Sequence, residues 1–448
     1  MGSADRLHST VTIDILPDDT LLEIFNFYVD QAYRPDAWHT LVHVCQRWRY
    51  IVFASPYRLN LQLLCTPQRP VKKMLDVWPA LPIVINALGM GSRPQAMANI
   101  ITALKQHNRV FKTSIWGMQN SLLKAFVTIK KPFPALTSLT LESNDTTAPV
   151  LPRSFLGGSA PRLRSLELRS IPFPTLGKLL LSTGHLVTLR LWNIPRSGYI
   201  SPEAMAACVS ALTRLKELRL EYRFPRSHAE RESRHPPPLT RAILPALTEI
   251  WFKCDSEYLE DFLARIDAPR LDFTTITLFN QLVFDTPLLR DFIGRTEAFN
   301  SLLQAHIFFS PSRVEVSLFR RKGTADHRTL NLGISCEASD WQLSSLAQLC
   351  SSSLPPLPTL KRLEILHDRR DWQEDMENIQ WLELIRPFTF VKNLALHERS
   401  APLVAPALQK LAEERVPELL PALRNLSCVG LKPSRPIEKA IAQFIAAR

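Results

Sequence analysis

PRLRSLELRS (161–170), HLVTLRLWNI (185–194) and TRLKELRLEY (213–222) are the same short pattern written three times. Each centres on Leu-x-x-Leu-x-Leu: Leu163, Leu166 and Leu168, then Leu186, Leu189 and Leu191, then Leu215, Leu218 and Leu220. Side chains alternate faces along an extended chain, so the fourth and sixth residues of the core share one face and can line an apolar spine. The core also stands at Leu136, Leu139 and Leu141, and in Ile/Phe form at Leu247, Ile250 and Phe252. The starts at 136, 163, 186, 215 and 247 lie 27, 23, 29 and 32 residues apart. That spacing is the mark of a solenoid with one strand and one helix or loop per turn. Later copies begin at Leu360, Val391 and Leu423, and weaker ones lie near Ile276–Leu278 and Val314–Leu318.

Between the strands the apolar periodicity predicts helices over Pro94–Gln106, Pro202–Leu212 and Glu257–Ile266, and strands over Leu81–Ile85 and Val110–Trp116. Pro436 to Ala447 reads as a terminal helix able to cap the stack. Arg223–Arg241, with three consecutive prolines, reads as an exposed loop, as do Ser351–Pro356 and the charged Asp368–Asn378. The pattern resembles leucine-rich repeats. The asparagine of regular repeats is mostly missing: Asn144 and Asn193 stand near its place, whereas Ser170 and Tyr222 occupy comparable positions, so the repeats should be irregular. A plain β/α domain with Leu-rich strands is the alternative. In a solenoid the residues between and after the spine positions lie on the concave face. Here they include Glu167, Arg169, Arg190, Trp192, Arg219, Glu221, Trp251 and Lys253. Arg169, Arg190, Trp192, Arg219, Trp251 and Lys253 are the candidate substrate-binding residues, a basic and aromatic set suited to an acidic or phosphorylated peptide. A solvated face with two structural tryptophans is the competing reading.

The N-terminal segment follows another pattern. It reads IDILPDDTLLEIF (13–25) and, after a spacer, LVHVCQRWRYIVFASP (41–56). Pro17 suits a helix start, Asp18 and Asp19 favour the positive end of the helix dipole, and apolar residues recur at three-and-four spacing in both blocks. The Leu16-Pro17 opening, the Leu21-x-x-Ile24-Phe25 stripe and the Val44-Cys45-x-x-Trp48-Arg49 core resemble an F-box, the helical module that docks substrate receptors onto the Skp-family adaptor of SCF ubiquitin ligases. The chain departs from that pattern in having Asp19 where Glu is usual and a longer spacer over Val29–His39. The resemblance implies adaptor contacts from Leu16, Pro17, Leu21, Ile24, Phe25, Val44, Cys45 and Trp48, and through the adaptor a cullin ligase. Trp48 fits equally as an internal core residue.

The 448 residues are 46% hydrophobic and carry a formal charge of +12. The first 60 residues hold five Lys/Arg and seven Asp/Glu, so they net −2 and the remainder carries +14. That charge favours acidic partners and permits nucleic acid, but with no nucleic-acid motif in the chain nucleic acid is not the expected partner. Seven scattered cysteines without a CxxC pair fit free thiols in a reducing compartment. The chain lacks a signal core, a myristoylation pattern and an apolar span long enough to cross a bilayer, so a soluble cytoplasmic or nuclear protein is expected, with no membrane partner. No phosphate-cradling loop, metal-ligand spacing or nucleophile elbow appears. Hence no enzyme activity, cofactor or metal is expected.

The chain therefore reads as α/β. It has an F-box-like helical module over 10–60, a connecting region with the first solenoid turns over 61–130, and an irregular leucine-rich-repeat-like domain over 131–448. The expected function is substrate recognition for an SCF-type ubiquitin ligase. The alternatives are an adaptor-binding scaffold without a degradative role, or a basic repeat protein that binds acidic ligands or nucleic acid.

Overall fold

The computed structural model describes residues 13–31, 36–88, 94–145, 147–225, 240–320, 328–336, 342–367, 378–414, 420–430 and 435–446. The chain forms two compact units, 1–145 with 154–163, and 146–153 with 164–448.

The first unit opens with helices α1 (Asp18–Gln31), α2 (Trp38–Val42) and α3 (Gln46–Ala54). Leu21, Leu22 and Phe25 on α1 are buried, as are Trp38, Leu41 and Val42 on α2 and Ile51 and Val52 on α3, so each helix turns one apolar side inward. The sulfur of Cys45 accepts the Trp48 backbone N–H at 3.5 Å and so caps α3. Strands β1 (Leu63–Cys65), β2 (Ile83–Ala87), β3 (Val110–Met118) and β4 (Ser138–Ser143) follow, interleaved with α4 (Val71–Val77), α5 (Pro94–Leu104) and α6 (Asn120–Val127). The strands pair in parallel, in chain order. The indole of Trp38, fully buried, donates to the Gln62 carbonyl at 2.8 Å and packs against His39, Phe53 and Trp78, tying the helices to the strands of this unit.

The second unit repeats one strand and one short helix, as the leucine spacing predicts. Its elements are β5 (Ser165–Arg169), α7 (Leu176–Leu180), β6 (Thr188–Ile194), α8 (Pro202–Ser210), β7 (Glu217–Tyr222), β8 (Ala242–Ile243), β9 (Glu249–Cys254), α9 (Ser256–Leu263), β10 (Ile266–Asp267) and β11 (Phe273–Phe279). Then come α10 (Pro287–Arg295), β12 (Gln304–Ser310), β13 (Arg313–Phe319), β14 (Arg328–Ser335), α11 (Gln342–Ser353), β15 (Arg362–His367), α12 (Asn378–Ile385), β16 (Asn393–His397), α13 (Ala401–Glu414), β17 (Asn425–Val429) and α14 (Arg435–Ala446). Register aligns Leu166, Leu189, Leu218 and Ile250, and beside them Leu168, Leu191, Leu220 and Phe252. All eight are buried, forming the continuous spine. At α8, Ser201 caps the first turn, Pro202 stands at a position that needs no N–H, and Glu203 meets Arg265 at 2.9 Å.

Two features depart from the expected plan. The sheet order after β11 is β14, β13, β12 and then β15. The chain skips ahead to β12 and returns through an antiparallel meander, so β14 lies parallel to β11 and β12 parallel to β15. The weak candidate near Val314–Leu318 is thus a central antiparallel strand and not a further solenoid turn. The triplet Ser351–Ser353, expected in a loop, ends α11, because the buried Thr286 hydroxyl bonds Ser353 Oγ at 2.6 Å and Ser352 Oγ at 2.9 Å. Most of Arg223–Arg241 and of Asp368–Asn378 lies outside the described residues, as do Glu374, Asp375 and Glu377. Among the described residues no helix is long and apolar enough to cross a membrane.

Candidate interaction surfaces

The strands of the second unit turn their leucines to the helices and a polar face away from them. Across β5, β6, β7 and β9, Arg169 aligns with Trp192 and Arg219 with Trp251. The guanidinium of Arg169 lies 4.3 Å from the Trp192 ring centre, and that of Arg219 lies 3.1 Å from Trp192 and 4.5 Å from Trp251. Trp251 packs on Phe273 of β11, and Lys253 stands over Phe279. The fold thus gathers all six predicted substrate-face residues into one strip of alternating cations and aromatic rings, an arrangement in which each face-on contact is worth about 0.5–2 kcal/mol.

The strip also contains what the sequence reading did not emphasise, its counter-charges. Glu217 grips Arg190 through two 2.6 Å hydrogen bonds, Glu167 holds Arg169 at 2.6 Å and reaches Arg190 at 3.5 Å, and Glu221 holds Arg219 at 2.5 Å. Hydrogen bonding to Glu217 drives the Arg190 pKa further up, and burial lowers that of Arg219. Three arginines meet three carboxylates, and Lys253 and the exposed Glu249, which aligns with Glu217 on the same face, have no ion-pair partner among the described residues. Glu217 escaped notice because it precedes the second leucine of its core. The period of two nevertheless puts it on the face of Arg219. Two further carboxylates continue the face. Glu315 takes Arg313 at 2.5 Å and the Asn331 amide at 3.2 Å. Glu364 takes Arg362 at 2.6 Å and Gln304 at 3.0 Å, with His306 and His397 at 3.5 and 3.6 Å. Satisfied networks of this kind rigidify a surface. Their chemistry is that of shape and hydrogen-bond recognition.

In the first unit the eight adaptor candidates divide by exposure. Leu21 and Phe25 are fully buried, and half-buried Trp48 packs on Phe25 in a tilted arrangement with ring centres 4.6 Å apart, so these three hold α1 and α3 together. Pro17, Ile24, Val44 and Cys45 are exposed and Leu16 is half-buried. Arg47 fixes their arrangement. It donates to the Leu16 carbonyl at 2.6 Å and to Asp18 Oδ1 at 2.6 Å, which pins the start of α3 to the start of α1. The Leu16-Pro17 and Val44-Cys45 pairs, remote in sequence, therefore lie at neighbouring helix starts. Ile24, Phe27 and Tyr28 extend an exposed apolar stripe along α1, at one-turn spacing, and Ile13 and Ile15 are exposed before it. Sequence periodicity alone did not single out Phe27, because its spacing fits either face.

No family model matches the chain, and no curated protein matches it. Among solved structures, the leucine-rich repeat-containing protein LegL7 from Legionella pneumophila aligns over 75% of this chain and 97% of that chain, at 15% identity and a TM-score of 0.27. A score that low carries no weight, and the repeat architecture rests on the strand register described above.

Proposed function

We propose that the protein is a non-catalytic interaction protein that works as a substrate receptor of an SCF-type ubiquitin ligase. The helices of the first unit dock a Skp-family adaptor, and the polar face of the second unit holds a protein substrate. The observation that carries the reading is the apolar set at one pair of helix starts, half-buried Leu16 with exposed Pro17, Val44 and Cys45, which Arg47 pins together and which exposed Ile24 continues along α1. Apolar side chains left together in water, on helices whose other sides are packed, mark a surface meant for a partner. Helix-in-groove docking uses anchors of this type and spacing. A receptor needs no chemistry of its own, since holding the substrate raises its effective concentration at the ligase.

Co-expression with a Skp-family adaptor followed by size-exclusion chromatography tests the reading. A one-to-one complex is expected. Leu16→Ala with Pro17→Ala should weaken it by about tenfold or more, as truncation of central apolar anchors does. Failure of the folded wild-type chain to bind the adaptor would sink the ligase assignment.

A further inference from the structure

The polar face of the second unit pairs its arginines with carboxylates, and the edge of the same sheet where the strands begin does the opposite. Each core leucine there sits in a turn ahead of its strand, and the turns stack through the backbone. The Arg164 carbonyl accepts the amides of Val187 and Thr188 at 2.8 and 3.0 Å. The Val187 carbonyl accepts those of Lys216 and Glu217 at 2.8 and 3.1 Å, and the Lys216 carbonyl those of Thr248 and Glu249 at 2.9 and 3.0 Å. This ladder holds Arg164, Val187, Lys216 and Thr248 in line along the edge. Arg164 and Lys216 are two strands apart, about 10 Å at the usual strand spacing. Arg214 flanks Lys216 on the other side of its core leucine, and Arg270 takes the corresponding place before β11.

All four cations, Arg164, Arg214, Lys216 and Arg270, are exposed, and none forms an ion pair among the described residues. The nearby Asp272 is already engaged by Arg320. The turns 181–187, 210–216, 244–248 and 264–272 contain no Phe, Tyr or Trp, their exposed ring is the imidazole of His185, and Leu181 is their one large exposed apolar residue. A protein partner would lack the aromatic or apolar centre that anchors most interfaces. Single-stranded nucleic acid would find one imidazole, His185, in place of a row of rings to stack on, and a membrane would lack interfacial Trp and Tyr. What remains is a row of guanidinium and ammonium groups at fixed spacing, which suits a continuous line of phosphates.

We propose that this edge binds the phosphate backbone of duplex nucleic acid, without sequence preference. The site is separate from both surfaces of the proposed ligase role. Helix C-termini also favour nearby cations, and that purely structural role is the competing account.

The test is fluorescence anisotropy of the full chain with a labelled duplex of about 30 base pairs, between about 50 and 200 mM salt. The expected result is binding whose log affinity falls linearly with log salt, by about 0.9 for each phosphate contacted. Arg164→Ala/Arg214→Ala/Lys216→Ala should flatten that slope by about 2.7, and Arg270→Ala alone by about 0.9. Arg190→Ala on the polar face should leave it unchanged. Circular dichroism melting of each variant separates lost contacts from lost fold. The proposal is overturned by absence of binding at the lowest salt, by an unaltered slope in the triple variant, or by tighter binding of polyglutamate of matched charge.

Discussion

His39 shows what burial does to a single titratable group. Its ring stacks on Trp78 and meets the Trp38 edge, and its Nε2 is buried without an acceptor among the described residues. Desolvation lowers its pKa from the ordinary 6.5, against the opposing pull of Asp36. The unfolded chain therefore takes up the proton more readily than the folded one. Stability from this residue is complete above the unfolded value and is lost as pH falls from there toward the depressed folded value. Thermal melts from about pH 7.5 to about pH 5 should show the wild type losing stability below about pH 6.5, with His39→Phe free of that component. An identical decline in both would remove His39 from the account. Arg219 is the opposite case, a cation kept charged in a half-buried strip because Glu221 and two indoles replace its water.

Among elements, the turn Phe155–Gly158 of the first unit is the most constrained. Leu156 and Gly157 both have positive φ, at 53° and 65°. A Cβ on Gly157 would sit 2.5 Å from the Pro132 nitrogen, against backbone that cannot move aside. Gly157→Ala therefore combines left-handed strain with a clash and should cost at least about 1–3 kcal/mol in denaturant unfolding. A loss below about 0.5 kcal/mol would show that the turn relaxes. The strands and helices themselves were largely legible. The predicted helices over 94–106, 202–212 and 257–266 appear as α5 (Pro94–Leu104), α8 (Pro202–Ser210) and α9 (Ser256–Leu263), because their apolar periodicity and their start signals agree. The antiparallel meander was not legible. Val314, Val316 and Leu318 alternate like any solenoid strand, and the choice of neighbours is made by contacts far along the chain.

At the scale of the whole molecule, two groups of cations in the second unit differ in how they are balanced. Arginines of the polar face are balanced within the fold, and those at the strand starts are not. The two recognition surfaces of the proposed receptor belong to different units, so they should be separable by mutation. Arg169→Glu/Arg190→Glu/Arg219→Glu places carboxylates against Glu167, Glu217 and Glu221. It should abolish capture of a protein substrate in affinity purification and leave adaptor co-elution intact. Capture that survives the triple variant would move the substrate site off this face. Steric and electrostatic disruption at three adjacent strands makes an intermediate outcome a matter of degree, readable as at least about tenfold weaker retention.

By itself the sequence determined the repeat. Leucine spacing fixes which residues enter the spine, since a period of two and burial of one face leave a single register. It also determined which positions face away from the spine, and so named Arg169, Arg190, Trp192, Arg219, Trp251 and Lys253. Only the tertiary structure decided what those residues do to one another. The pairs Arg169–Glu167 and Arg219–Glu221 are two residues apart on one strand, but the grip of Glu217 on Arg190 and the contacts of Arg169 and Arg219 with Trp192 join strands some 20 to 30 residues apart, which no local pattern encodes. The same holds for the N-terminal helices, where packing sorted Leu21 and Phe25 into the interior, half-covered Trp48 and left Pro17, Ile24 and Val44 in water. Both groups are apolar at helical spacing, and only the presence of a packed neighbour separates a core residue from a docking residue.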